Sequence, residues 1–171
     1  WGEVRQHVPL ELARRARAAA ADAGIRIVVS VGGGSTTGLA KAIAMEQDVA
    51  IVAVPTTYAG SEATDVWGLT DEGVKTTGAD RRVLPTTVVY DAELTTSLPV
   101  DLTVASGLNA LAHCVDSLWA PRTDPINLAL GLEGARALAE GLPAVMADGL
   151  DLAGREQCLY GAYLAAVAFA S

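Results

Sequence analysis

Apolar positions change their period several times along the chain, and each change marks a predicted element. In PLELARRARAAAADAG, Leu10, Ala13, Arg17 and their neighbours recur at helical spacing, with Pro9 in front and Gly24 just past the end. This predicts a helix of about four turns. Ile25 to Val31 (IRIVVSV) is a β-branched run, which predicts a strand buried on both faces of a parallel sheet. Ser35 to Met45 returns to a helical pattern, and Val49 to Pro55 (VAIVAVP) reads as a second buried strand. Helix, strand, helix, strand at this spacing predicts an open α/β sheet with helices on both sides.

Beyond Pro55 the pattern shortens. VWGLTDEGVKTTG holds two short runs around Asp71-Glu72-Gly73, a hairpin signal, and TTVVYD is a further short strand. After Ser97 to Pro99 the β signal vanishes. Asp101 to Ala120, Asp124 to Glu140 and Asp151 to Ser171 read as helices, the last two preceded by Pro, Gly or Asp breaks. The predicted fold class is therefore α/β followed by all-α. The predicted boundary lies near Pro99, with an α/β domain of the open parallel-sheet type over residues 1–98 and the start of a helical domain over residues 99–171. The chain begins at Trp1 and stops inside an apolar helical run, so the expectation is a piece of a longer protein.

Composition narrows the function classes. Of 171 residues, 12 are Lys or Arg and 20 are Asp or Glu, a formal net charge of -8. An acidic protein does not attract nucleic acid or an anionic membrane, and any anionic ligand must be held by local groups. Cys114 and Cys158 lie in helical segments with no CxxC and no His/Cys cluster; buried free thiols in a reducing cytoplasm are expected. No signal peptide is visible, and the final apolar run is too short for a membrane span. A cytoplasmic protein is expected.

The first chemical candidate is VGGGSTTGLAKAIA. A strand end, glycines and a helix start form an anion site, because glycine admits close approach and the first helical N–H groups point at the ligand. Two standard phosphate patterns fail here. GxGxxG needs glycine at 37, which is Thr37; the Walker pattern needs lysine where Leu39 stands. A pyrophosphate seat and a plain glycine-packed turn both fit these residues. Lys41 either reaches a phosphate or ribose or is a surface lysine.

The second strand ends in PTTYAGSEAT, whose Thr56, Thr57, Tyr58, Ser61 and Glu62 would emerge at the ligand-binding carboxyl edge of the sheet. A polar loop with capping residues is the plainer alternative. In SGLNALAHCVDSLWAP, Asn109, His113 and Asp116 fall at i, i+4 and i+7 along one helical face. A helical histidine is usually structural, but this one follows directly on the domain boundary, where clefts form.

Taken in order, GGGSTTGLAKAIA, PTTYAGSEAT, GVKTTG, LPTTVVYDAELTTSLP and SGLNALAHCVDSLWAP closely resemble the maleylacetate reductases. These are a branch of the iron-containing alcohol dehydrogenase superfamily, related in fold to dehydroquinate synthase and glycerol dehydrogenase. The resemblance covers essentially the whole chain. By it, residues 1–98 are expected to be a Rossmann-like dinucleotide-binding domain lacking its first part, and residues 99–171 a helical domain lacking its last part. It implies that Gly33, Gly34, Ser35 and Thr36 hold the pyrophosphate of NADH or NADPH, with Lys41 in the same nucleotide-binding region. It places Thr56, Thr57 and Ser61 in a polar loop near the phosphates and nicotinamide, and Lys75 near the nicotinamide ribose. The helix of Asn109 and His113 matches the superfamily's metal helix, where the metal-dependent members carry Asp in place of Asn109. Gly38 likewise stands where they carry an acid.

A neutral amide is a poor ligand for a hard cation, so metal binding is expected to be weak or absent. The implied substrate is a small dicarboxylate: hydride adds to the conjugated alkene of maleylacetate, giving 3-oxoadipate, in bacterial degradation of aromatic compounds. His113 and Asn109, with Tyr58 as a weaker third, are the candidate catalytic donors to the enolate oxygen. A homodimer is implied by the family. Two alternatives stay open: a metal-dependent alcohol or polyol dehydrogenase of the superfamily, and a fragment that binds nucleotide weakly or is inactive alone.

Overall fold

The computed structural model describes residues 1–121 and 123–170. Three parallel strands, β1 (Ile27–Gly32), β2 (Ala50–Pro55) and β5 (Thr87–Val88), form a sheet in the order β1-β2-β5. Helix α1 (Leu10–Asp22) and helix α2 (Gly34–Ala44) precede and follow β1. A separate antiparallel hairpin, β3 (Val66–Asp71) and β4 (Val74–Ala79), turns at Glu72-Gly73, where both residues have positive φ. Three long helices follow: α3 (Val100–Trp119), α4 (Pro125–Ala147) and α5 (Leu152–Ala170).

Two apolar clusters hold these parts. One joins α1, α2, β1 and β2 through Leu12, Ala16, Leu39, Ile43 and Ile51. The other joins the three long helices to Tyr58 and Ala92 through Cys114, Leu138, Cys158 and Ala162. In the helical part the backbones approach closely at glycines. A Cβ on Gly134 would meet the Cys114 thiol at 2.8 Å, and one on Gly141 would meet the Cys158 thiol at 2.9 Å. No described helix is long and apolar enough to cross a membrane.

Among the described residues β1 is covered on one face. Val28 and Ser30 face inward, but Ile27, Val29 and Val31 are 58%, 60% and 57% exposed. Helix α2 packs on β1 and β2, while α1 packs on α2 and β3. Among the described residues the helices therefore cover one face of the sheet, not two. A β-branched run looks the same in sequence whichever element covers it.

Candidate functional site

The carboxyl ends of β1 and β2 open into a cleft of about 770 Å³. Four walls build it. The floor is the glycine turn: Gly33, Gly34, Ser35 and Thr36 line the cleft at the N-terminus of α2. Glycine is required here. Gly32 has φ +150°, and a Cβ on it would stand 2.4 Å from the Thr36 hydroxyl; one on Gly33 would stand 2.9 Å from the Thr57 methyl. No side chain caps the helix start; the Thr36 and Thr37 N–H groups donate back to the Gly33 carbonyl at 3.0 and 3.2 Å, and those of Gly34 and Ser35 stay available to an anion.

The second wall is the loop after β2. Thr57, Ala59, Gly60 and Ser61 line the cleft. Gly60 has φ +73°, and a Cβ there would touch Ala166 of α5 at 3.0 Å; only glycine lets the loop pass so close to the helix. The hairpin is the third wall, with Trp67, Gly68, Lys75 and Thr77. The Lys75 stem lies across Gly68, where an added Cβ would be 3.2 Å from Cε.

Helices α3 and α5 form the fourth wall. Leu102, Ala105, Ser106, Asn109, Ala110 and His113 occupy one stripe of α3 at i, i+3, i+4 spacing. Ala162, Ala165, Ala166 and Phe169 do the same on α5, and their small side chains leave room for a ligand. His113 stacks its ring on Phe169 at 4.5 Å between centroids, and its buried Nδ1 has no hydrogen-bond partner. Asn109 is exposed to the cleft.

The sequence candidates divide accordingly. Gly33, Gly34, Ser35, Thr36, Thr57, Ser61, Lys75, Asn109 and His113 all meet at this one cleft. Thr56 does not line it; its backbone N–H donates to the Gly32 carbonyl at 3.0 Å and ties the two loops together. Asp116 borders a smaller, separate pocket beside Thr123 and Asn127.

Two assignments are corrected. Tyr58 is fully buried in the helical cluster, and its hydroxyl accepts from Arg155 Nη1 at 3.3 Å. Burial pushes its pKa up, and because the side chain is sealed in this cluster and does not line the cleft it acts as a packed anchor. Lys41 borders the cleft but is fully buried, with its ammonium turned away from the glycine turn. Nζ donates to the Thr64 carbonyl (2.7 Å), the Val66 carbonyl (2.7 Å) and the Thr64 hydroxyl (3.2 Å). All three ammonium donors are used by protein, leaving none for a phosphate. Burial lowers its pKa to about 8, against the opposing pull of Glu62 and Asp65. Glu62 is buried as well. Desolvation raises its pKa, and the Tyr90 hydroxyl donates to it at 2.9 Å.

One signal in the sequence went unused. The chain has two lysines and two histidines, and Lys41, Lys75, His7 and His113 all border this cleft. Among the described residues no Asp or Glu lines it. His7 and Val8 reach the mouth on a strained turn with φ of 63° and 47°. Thr70 pins that turn, its N–H donating to Val8 and its hydroxyl to the His7 carbonyl. The Val8 methyl fills the notch at Gly38, 2.9 Å from where a Cβ would stand.

This arrangement matches known proteins. The profile of the iron-containing alcohol dehydrogenases matches residues 1–92, and that of the C-terminal part of the Fe-containing alcohol dehydrogenase family matches residues 103–171. The chain belongs to the iron-containing alcohol dehydrogenase family. A maleylacetate reductase from Burkholderia cepacia is 53% identical over 158 residues, covering 92% of this chain and 45% of that protein. An iron-containing alcohol dehydrogenase structure from Corynebacterium glutamicum superposes with a TM-score of 0.96 at 64% identity, covering 99% of this chain and 48% of that one. The maleylacetate reductase structure from Rhizobium sp. gives a TM-score of 0.97 at 46% identity, covering 100% and 49%. The chain thus spans about half the length of the relatives it matches.

The family name implies iron. Among the described residues no three His, Cys, Asp or Glu side chains come together. At the family's metal helix, α3, the cleft offers one imidazole, His113, and one neutral amide, Asn109. Two donors without an anionic oxygen do not by themselves fit a tight divalent site.

Proposed function

We propose that this chain carries the dinucleotide seat and part of the substrate cleft of an NAD(P)H-dependent maleylacetate reductase. The single observation that carries the proposal is the cleft's charge. In a protein of net charge -8, the cleft gathers both lysines and both histidines, and no Asp or Glu among the described residues lines it. That lining suits two anionic ligands together, a pyrophosphate and a small dicarboxylate.

The roles follow from position. The N–H groups of Gly34 and Ser35 receive the pyrophosphate, with the Thr36, Thr57 and Ser61 side chains beside it. Lys75, extended over Gly68, reaches the ribose or a phosphate. The nicotinamide then faces α3. Hydride passes from the reduced nicotinamide to the alkene carbon β to the ketone. The π electrons move to the carbonyl oxygen as an enolate, and a proton later adds at the carbon next to the carbonyl. The product is 3-oxoadipate. Asn109, with its exposed amide N–H, and His113, whose ring lines the cleft, donate to the developing enolate oxygen.

The test is NADH and NADPH oxidation by the protein expressed with its natural termini, using maleylacetate with and without a chelator. Chelator-insensitive turnover is expected; no turnover with either dinucleotide overturns the proposal. The family name favours a second reading, a metal-dependent alcohol or polyol dehydrogenase. Turnover of simple alcohols that is abolished by chelator would establish it.

A further inference from the structure

Lys41 is an expensive residue to bury. No carboxylate lies within ion-pair distance of it among the described residues, and Glu62 and Asp65 act on it only at longer range. A methionine would fill similar volume without the desolvation cost. What methionine lacks is the three donors, and all three go to one segment. Thr64 and Val66 flank the start of the hairpin. The Thr64 hydroxyl, which accepts from Lys41, also passes its own hydrogen to the Ser61 carbonyl at 3.4 Å. Cleft residues stand on either side: Thr57, Gly60 and Ser61 before the anchor, Trp67 and Gly68 after it. Helix α2, which carries Lys41, begins at the glycine turn about two helical turns earlier.

We infer that Lys41 is a positioning residue for the cofactor: it fixes the loop wall and the hairpin wall at a set distance from the glycine turn without touching the ligand. The inference rests on the dinucleotide seat proposed above. Charge-assisted donation to two carbonyls and a hydroxyl makes the anchor rigid. Its loss leaves the pyrophosphate seat intact but lets the facing walls drift, and small misplacements are costly when a cofactor must be gripped from several sides.

The experiment compares wild type, Lys41→Met and Thr64→Val, all with natural termini. NADH and NADPH affinity is read by fluorescence titration, steady-state KM and kcat by maleylacetate turnover, and Tm by calorimetry. Lys41→Met should weaken dinucleotide binding about tenfold or more, the scale of a lost charge-assisted hydrogen bond. The dinucleotide KM should rise with it, while kcat at saturating dinucleotide stays within about threefold. Tm should stay within a few degrees of wild type, because removing the buried charge offsets the lost hydrogen bonds. Thr64→Val keeps the lysine and deletes one acceptor, with a rise in Kd of about two- to threefold expected; it decides the matter if Lys41→Met does not fold. Wild-type dinucleotide affinity in whichever variants fold overturns the inference, as does a loss that only tracks the unfolded fraction. If the wild type itself shows no saturable dinucleotide binding, the proposed function falls and this inference with it. If the wild type binds and Lys41→Met binds equally well, the inference alone falls.

Discussion

Arg155, on the last helix, holds Tyr58, which follows the second strand, across 97 positions of sequence: its Nη1 lies 3.3 Å from the tyrosine hydroxyl. The same nitrogen donates to the Thr95 carbonyl and hydroxyl, and Nε donates to the Gly149 carbonyl at 2.8 Å. A buried guanidinium with only neutral acceptors thus joins the helical part to the loop that lines the cleft. Arg155→Met leaves those acceptors without a donor. We expect a loss of about 2–4 kcal/mol in urea unfolding. Arg155→Lys should lie between, since it keeps the charge but not the fork. Wild-type stability in the methionine variant would show that the hub is dispensable.

Gly33 and Thr57 test how tightly the two loops close on the ligand. A Cβ at 33 would press on the Thr57 methyl at 2.9 Å, with no backbone strain because φ at Gly33 is -83°. Gly33→Ala should fold with Tm close to wild type and bind dinucleotide about tenfold more weakly. Equal affinity, measured by titration, would mean that the pyrophosphate does not pass between them.

The Lys41 ammonium gives a pH signature. Its pKa falls from 10.5 unfolded to about 8 folded, so between those values the unfolded chain binds more protons and stability rises with pH. Its full burial cost, roughly 3 kcal/mol, applies below about pH 8 and is relieved on going up. Between pH 8 and 9 the gain is about 1 kcal/mol. Above pH 9 the buried thiols and tyrosines act oppositely, because their folded pKa values are raised and stability is lost as their unfolded forms ionise. The difference between wild type and Lys41→Met in chemical denaturation isolates the lysine. A difference independent of pH from 7.5 to 9 would refute the assignment.

Asn109→Asp should raise divalent metal affinity on the order of tenfold or more, the effect of adding one charge beside His113. Maleylacetate reduction should fall in parallel. Metal analysis of the purified variant is the measurement, and unchanged metal content would refute the role given to ligand charge.

Much of this architecture was legible in the sequence for identifiable reasons. The glycine turn announces a strand end and a helix start together, so β1, α2 and β2 could be placed from VGGGSTTGLAKAIA and its flanks. The hairpin was legible from Asp71-Glu72-Gly73, because positive φ at Glu72 and Gly73 is a local demand. The spacing of Asn109 and His113 put them on one stripe of α3. The directions of Lys41 and Tyr58 were not legible. A lysine on an alanine-rich helix and a tyrosine in a polar loop have the same local signature buried or exposed. Their fate is decided by residues far away, Thr64 and Val66 for one and Arg155 for the other.

Cys114 and Cys158 sit under glycine notches of the helical part, fully buried, and burial pushes their thiols to about 11 and 12. Neither presents a thiolate at neutral pH. An enone flanked by carboxylates is a Michael acceptor, and the nucleophile it alkylates fastest in a protein is a thiolate. An enzyme that handed hydride to such a compound, as proposed, would itself be exposed to alkylation by its own substrate. Sealing both sulfurs between helices makes this part of the protein chemically inert toward the electrophile it is proposed to reduce.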